Sequence, residues 1–273
     1  MDIVVQDLTF RYAPDVIALR DVSLIIPAGE QVAIIGENGA GKTTLAKHFN
    51  GLLKPTQGSV SVGGRDTRDL TVAQMARWVG YVFQNPDEQL FRSRVADEVA
   101  FGPYNLGYDR GRSVRLVDES LSAVGLREVA DLHPHDLIPS QRRLVAIACV
   151  LAMDTPSIVF DEPTTGQDHA SVLRLSEVIA SLKAKGKTVI TISHDIDFCA
   201  ETFDRIIVMG QGRVLLDGPP ESIFGRPDVL AQTSVEPPQM TRLGIRVGLP
   251  TVVYTVEGFL SGYQAGLSVK GTG

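Results

Sequence analysis

The sequence predicts an α/β fold: a mostly parallel sheet flanked by helices, with an antiparallel β subdomain, a helical subdomain and a small C-terminal extension. Three observations point there. Short apolar runs alternate with turn residues in the first part of the chain and return after residue 156. A glycine-rich stretch, residues 36–41, follows one such run and opens a helix. From residue 86 to 153 charges recur every few positions while apolar residues keep mostly helical intervals, the texture of a helical insert.

In chain order, residues 3–5 and 22–26 read as strands, and Pro27-Ala28-Gly29-Glu30 turns into a third at 31–35. A helix is expected to begin near Lys42. Residues 59–62, closed by Gly63-Gly64, and 78–83, ending at Gln84, are further strands. Within the insert, Leu116, Leu121, Val124 and Leu126 keep near-helical spacing. Leu144, Ile147, Ala148 and Leu151 then mark one face of a helix over 141–153, which stops before Asp154-Thr155-Pro156. Strand patterns resume at 157–160, 188–193 and 205–209, and Gly210-Gln211-Gly212 joins the last to 214–216 as a hairpin. Beyond Pro219-Pro220 the pattern loosens, and Pro237-Pro238 marks a break.

Composition excludes several classes. The 273 residues are 44% apolar, enough for a sizeable core. The net charge is −6 and no Lys/Arg cluster forms a stripe, so no nucleic-acid partner is expected. Cys149 and Cys199 lack metal-ligand spacing and read as buried small hydrophobes in a reducing compartment. The longest apolar run, residues 144–153, is about half of the ~20 residues a spanning helix needs. The start, MDIVVQDLTF, has no basic region leading into a long apolar segment, so no secretory signal is expected. A membrane role would have to come through a partner.

Gly36-Glu37-Asn38-Gly39-Ala40-Gly41-Lys42-Thr43 fits G-x-x-x-x-G-K-[ST] at every fixed position. Glycines let the backbone wrap an anion so that several N–H groups converge on it, and the following helix adds its positive end. Lys42 offers a point charge to the β- and γ-phosphates, and the Thr43 hydroxyl a ligand to Mg²⁺. The match follows an apolar strand and opens a helix, as that chemistry requires. Residues 157–160 then lead into Asp161 and Glu162 at the carboxyl end of a strand, where open α/β sheets bind ligands. Strand alternation would send the two carboxylates to opposite sides, one toward the metal and one toward an attacking water. Alone, an Asp-Glu pair after an apolar run could equally cap a helix. His194 follows another strand and could donate to a γ-phosphate in its neutral form, or simply cap a strand end. Gln84 can reach metal and water or merely end its strand, and Tyr12 offers a flat face to adenine or a ring to the core.

Taken together, these segments resemble an ABC-type ATPase, with a P-loop NTPase core, over nearly the whole chain. The resemblance implies that residues 36–43 are the Walker A loop, with Thr44 adjoining it in the nucleotide-binding set, and residues 158–161 Walker B. It implies that Glu162 is the catalytic glutamate, Gln84 the Q-loop glutamine, His194 the switch histidine and Tyr12 the adenine-stacking aromatic. Asp168, in Thr165-Gly166-Gln167-Asp168, takes the D-loop position. ATP and Mg²⁺ are the implied cofactors, with Thr43, Gln84 and Asp161 on the metal side. Phe83-Gln84-Asn85-Pro86-Asp87-Glu88-Gln89-Leu90-Phe91 resembles the extended Q-loop of energy-coupling-factor importers, which take up vitamins or cobalt and nickel ions. Pro237-Pro238-Gln239-Met240-Thr241-Arg242-Leu243 resembles the C-terminal extension that helps hold such ATPases together. The implied division is an ATPase domain over 1–232 and a dimerisation segment over 233–273. The implied partners are a second ABC ATPase, a transmembrane coupling protein whose helices enter the groove beside Gln84, and a substrate-capture membrane protein. That places the chain at the cytoplasmic face of the membrane. A soluble ABC ATPase acting on nucleic acid or the ribosome would usually carry long coiled-coil insertions or tandem cassettes, and a nucleotide sensor would lack Glu162.

One stretch departs from the pattern. The family signature L-S-G-G-Q, which offers a hydroxyl and backbone N–H groups to the partner's γ-phosphate, is replaced by Leu137-Ile138-Pro139-Ser140-Gln141. Ile138 removes the hydroxyl, Pro139 has no N–H, and Ser140 adds a side chain whose hydroxyl compensates in part. Each lost bond to a charged group is worth about 1.5–3 kcal/mol. Losing two would slow turnover by about two orders of magnitude. The D-loop also differs from the common S-A-L-D, at Gly166 and Gln167. The chain is thus expected to hold a complete ATP half-site of its own while offering an impaired face, which favours a heterodimer.

Overall fold

Two sheets organise the chain in the computed structural model, which describes residues 1–270 and places side chains through residue 265. Strands β1 (Ile3–Ala13) and β2 (Val16–Ile26) form a long hairpin, and β3 (Gln31–Gly36) leaves it for the second sheet. The chain returns in β4 (Gln57–Val62) and β5 (Arg65–Asp66), completing an antiparallel sheet of order β2-β1-β4-β5. Then β6 (Val79–Val82), β7 (Ser157–Asp161), β8 (Thr188–Ile192), β9 (Arg205–Gly210) and β10 (Arg213–Gly218) join β3 in the order β10-β9-β3-β8-β7-β6. All neighbours in this sheet run parallel except β10, which returns antiparallel on β9.

Helices fill the crossovers. Helix α1 (Lys42–Phe49) follows β3, and the short α2 (Val72–Met75) precedes β6. The expected helical insert lies between β6 and β7 as α3 (Val95–Asn105), α4 (Arg110–Ala123) and α5 (Pro139–Ala152). Helices α6 (His169–Ala184) and α7 (Ile196–Thr202) lead into β8 and β9. After β10 come α8 (Pro220–Phe224), α9 (Pro227–Leu230), α10 (Gln239–Arg246) and α11 (Val256–Lys270).

Every residue of β3, β7 and β8 is buried, the pattern of a parallel sheet covered on both faces. Alternation along β3 divides the core in two. Ala33 and Ile35 pack with α5, α6 and α7, whereas Val32 and Ile34 pack with α1 and the antiparallel sheet.

The structure corrects several sequence expectations. Strands β1 and β2 extend well beyond 3–5 and 22–26. Their pairing shifts register repeatedly, and Asp7 and Asp21 sit at positive φ, which breaks the period of two that would have shown their length. Helix α5 starts at Pro139 rather than at 141, because proline at the first helical position needs no N–H. It is buried all round from Leu144 to Val150, so the expected single apolar face understates how deeply it packs between sheet and insert. The tail after Pro219, which carries no clear pattern, forms three short helices and the 15-residue α11, and proline occupies the N-cap or first turn of α8, α9 and α10.

Candidate active site

Four parallel strands deliver the site. Register places Gly36 at the end of β3, Asp161 at the end of β7 and Ile192, two residues before His194, at the end of β8. Val82, two residues before Gln84, pairs with Phe160. Their carboxyl ends therefore open on one edge, as expected for a sheet of this kind.

The glycines of the loop answer to close approach. At Gly36 (φ 151°) an added Cβ would stand 2.2 Å from the Met209 carbonyl oxygen; at Gly41 (φ 98°) it would stand 2.7 Å from that of Ala18. Gly41 caps α1 without a side-chain bond, so the helix N-terminus keeps its donors free of a capping side chain. The buried Lys42 ammonium donates to the carbonyls of Gly36 (2.7 Å) and Glu37 (3.0 Å). Burial lowers its pKa, and the charges of Glu162, Asp161 and Glu37 oppose that shift. A buried cation held only by neutral carbonyls suits an anionic ligand.

Asp161 is buried at the end of β7. Its Oδ1 accepts from the Thr43 hydroxyl (3.0 Å) and its Oδ2 from the Tyr81 hydroxyl (2.7 Å). Burial raises its pKa, more than the bonds from Tyr81 and Thr43 and the charges of Lys47 and Lys42 lower it. Burial likewise drives the Tyr81 hydroxyl upward, with the Asp161 charge adding to it. A carboxylate and a hydroxyl side by side are oxygen donors of the kind that hold Mg²⁺ together with substrate phosphates.

Glu162 does not continue the strand, contrary to the alternation expected for the pair. It takes the left-handed conformation (φ 51°), uncommon for a side chain of this size and held by its surroundings. Its N–H donates to the Ile192 carbonyl (2.8 Å), and its own carbonyl accepts from Arg143 (2.9 Å). This backbone reversal, rather than strand alternation, separates the two carboxylates. Glu162 Oε2 lies 2.6 Å from His194 Nδ1 and accepts the His194 backbone N–H at 3.3 Å. The carboxylate is 8% exposed and the imidazole 62%. The Nδ1 side of the imidazole is thus engaged by Glu162.

Tyr12 lies at the mouth of a cleft of about 440 Å³ lined by Ala18, residues 38–44, Gln84 and Glu162. The ring is 57% exposed and edge-on to Phe10, leaving a face open, and its hydroxyl pairs with that of Thr44 at 3.1 Å. Gln84 is exposed between this cleft and a second cavity shared with Gly36, Glu37 and His194. Ser140, Gln141 and Asp168 do not line the cleft. Ser140 and Gln141 lie in the first turn of α5, where Ile138 is an N-cap with no side-chain bond and is 58% exposed. Asp168 caps α6 by accepting from Ser171 N–H (2.8 Å). Gln167 bridges the two segments, donating to the Ser140 carbonyl (3.4 Å).

Tyr81 and Arg143 escaped the sequence reading. Tyr81 lies three residues before Gln84 in a buried strand, and only the pairing of β6 with β7 reveals its partner. Arg143 carries no local signal; burial lowers its pKa against the charge of Glu162.

A family model described as ABC transporter matches residues 19–165. The chain belongs to the ABC transporter ATP-binding family. Among its relatives, the "Energy-coupling factor transporter ATP-binding protein EcfA" of Methanoculleus marisnigri is 42% identical over 239 residues, 87% of this chain and 86% of that one. A "Putative ABC transporter ATP-binding protein" of Methanosarcina acetivorans is 38% identical over 89% of this chain. This chain spans only 40% of that relative's length. Among solved structures, CbiO1 from Clostridium perfringens, part of the ABC transporter complex CbiONQ, superposes with a TM-score of 0.76 at 32% identity, covering 90% of this chain and 98% of that one. The dimeric ATP-binding cassette MJ0796, in a post-hydrolysis state bound to ADP and Pi, gives 0.73 at 27% identity over 80% and 98%. This ABC ATPase has, among its described residues, no helix long and apolar enough to cross a membrane.

Proposed function

We propose that this chain is the ATP-hydrolysing subunit of an energy-coupling-factor importer for vitamins or for cobalt or nickel ions, acting as one half of an ATPase heterodimer. Residues 1–232 form the ATPase domain and 233–273 a dimerisation segment, of which 271–273 lie outside the described residues. Partners are a second ABC ATPase, a transmembrane coupling protein and a substrate-capture membrane protein, with this subunit peripheral on the cytoplasmic face. The relatives named for energy coupling support the importer class.

The observation that carries the catalytic reading is the Glu162–His194 contact beside the Lys42 loop. Residues 36–44 cradle the triphosphate, Tyr12 stacks on adenine, and Thr43, Asp161 and Gln84 would hold Mg²⁺, which supplies charge neutralisation of the phosphates. Glu162 orients a water and takes its proton as the oxygen attacks the γ-phosphorus. The bond to the β-phosphate oxygen breaks, and ADP and inorganic phosphate result. His194 turns from Glu162 toward the γ-phosphate, which frees the carboxylate for the water. Replacing Glu162 by Gln keeps the shape and removes the base. Binding of MgATP is expected to persist while steady-state hydrolysis falls by about a hundredfold or more; hydrolysis at the wild-type rate would give Glu162 another role.

A further inference from the structure

We infer that the C-terminal extension positions the Glu162–His194 pair through a hydrogen bond between Gln239 and Asp197. The inference rests on the catalytic reading above. Two features support it.

The first is the bond itself. The N–H of Gln239, at the start of α10, donates to Asp197 Oδ1 at 2.9 Å. Asp197 lies in the first turn of α7, three residues after His194. The connection between β8 and α7 is otherwise held locally. Asp195 caps α7 by accepting from Phe198 N–H (3.1 Å), and its own N–H donates to Ser193 Oγ (3.0 Å). His194 thus sits between a sheet edge fixed by register and a short helix whose exposed side is tied to the extension. The orientation of that helix bears directly on where the imidazole meets Glu162.

The second is a strap. Ser234, Val235 and Glu236 line one cavity with Glu162, His194 and Gln84. Thr233, fully buried, donates its hydroxyl to the Leu230 carbonyl (2.8 Å) and accepts from Val235 N–H (3.4 Å). Ser234 between them is held at φ 53°, a left-handed conformation that persists where neighbours over-determine it. Val235 is buried in the core with Phe224 and Leu230, while Glu236 pairs with Arg242 on α10. Thr241 of the same helix donates to the Val253 carbonyl (2.6 Å), and Tyr254 donates to Glu221 (2.8 Å). The extension is therefore a packed unit that reaches the hydrolytic end of the cleft twice, at the strap and at α7. Asp197 acts as a positioning residue, since it reaches the reacting atoms only through His194.

Two substitutions remove the same bond from opposite ends. Asp197→Ala deletes the acceptor. Gln239→Pro deletes the donor at a first helical position, where proline is tolerated and the preceding residue is already extended. In the full chain, within its ATPase assembly, each is expected to lower kcat about tenfold, the cost of a misplaced catalytic group. KM and the Kd of a fluorescent ATP analogue should stay within about twofold of wild type. Asp197→Asn keeps an oxygen acceptor and should hydrolyse like wild type, and the double variant should be no slower than either single one, as for two ends of one contact. Wild-type kcat in either single variant, additive losses in the double, or equal losses for Asn and Ala at 197 would overturn the inference. Glu162→Gln in the same series separates the two readings. If it still hydrolyses ATP at the wild-type rate, the catalytic assignment fails. If it is inactive while Asp197→Ala and Gln239→Pro run normally, only the extension's role falls.

Discussion

At the scale of single residues, burial disfavours the charged forms of both Lys42 and Asp161. Burial raises the pKa of Asp161 despite two donated hydrogen bonds. A carboxyl raised in the folded state contributes stability that is fully present below its unfolded pKa and is lost as pH rises through the folded value. Above the folded value the chain carries a desolvated carboxylate that a cation would relieve. Asp161→Asn is therefore expected to leave the melting temperature of the nucleotide-free chain unchanged or higher. A ligand at a hundred times its Kd stabilises by about 2.7 kcal/mol, or roughly 5–10 °C for a chain of this size. More than half of the rise given by MgATP should vanish in the variant. Thermal unfolding with and without MgATP measures both. A lower melting temperature in the nucleotide-free variant would mean that the bonds from Tyr81 and Thr43 outweigh burial.

At the scale of elements, the N-terminus of α5 carries the stretch, Leu137 to Gln141, that differs from the L-S-G-G-Q signature. The exposed Ile138 caps the helix without a hydrogen bond and Pro139 removes an N–H that could face a phosphate. Ile138→Ser with Pro139→Gly restores both groups. Serine at the cap gains about 1 kcal/mol, and glycine in the first turn loses about as much, so folding stability should hardly change. Sites that use this face should turn over about ten to a hundred times faster, measured as steady-state hydrolysis by the chain purified alone. An unchanged rate would mean that the stretch limits nothing. Elements also show what was legible in the sequence. The Lys42 loop could be read because its chemistry is contiguous, and β3, β7 and β8 because full burial leaves unbroken apolar runs. The bulged β1 and β2 lost their period, and Glu162 left its strand through a left-handed turn that no pattern announces. Tyr81 and Asp161 are 80 residues apart, Arg143 and Glu162 19, Asp197 and Gln239 42. Those partners are set by strand register and helix packing, which a local reading does not reach.

At the scale of the whole molecule, the chain presents two unequal faces. Its own site holds Lys42 on the Gly36 and Glu37 carbonyls, Thr43 on Asp161 and His194 on Glu162, while Ile138 and Pro139 at the start of α5 offer neither a capping side chain nor an N–H at the first helical position. The extension exposes Leu243, Ile245, Val247, Val256, Leu260 and Tyr263, apolar surface that the proposed dimer would cover. Two copies of this chain would make two impaired sites. In the heterodimer proposed above, pairing with a cassette that carries an intact signature would make one site competent, built on this chain's Lys42 and Glu162 and the partner's donors. The other combines the partner's loop with this chain's Ile138 and Pro139. Substitutions should then be unequal across the pair. Lys42→Ala in this chain is expected to lower hydrolysis by the mixed dimer about a hundredfold, whereas alanine at the corresponding lysine of the partner should remove less than about half. Steady-state rates of the two purified mixed dimers give the comparison directly. Equal losses, or brisk cooperative turnover by this chain alone, would mean that the altered signature does not divide the labour between the sites.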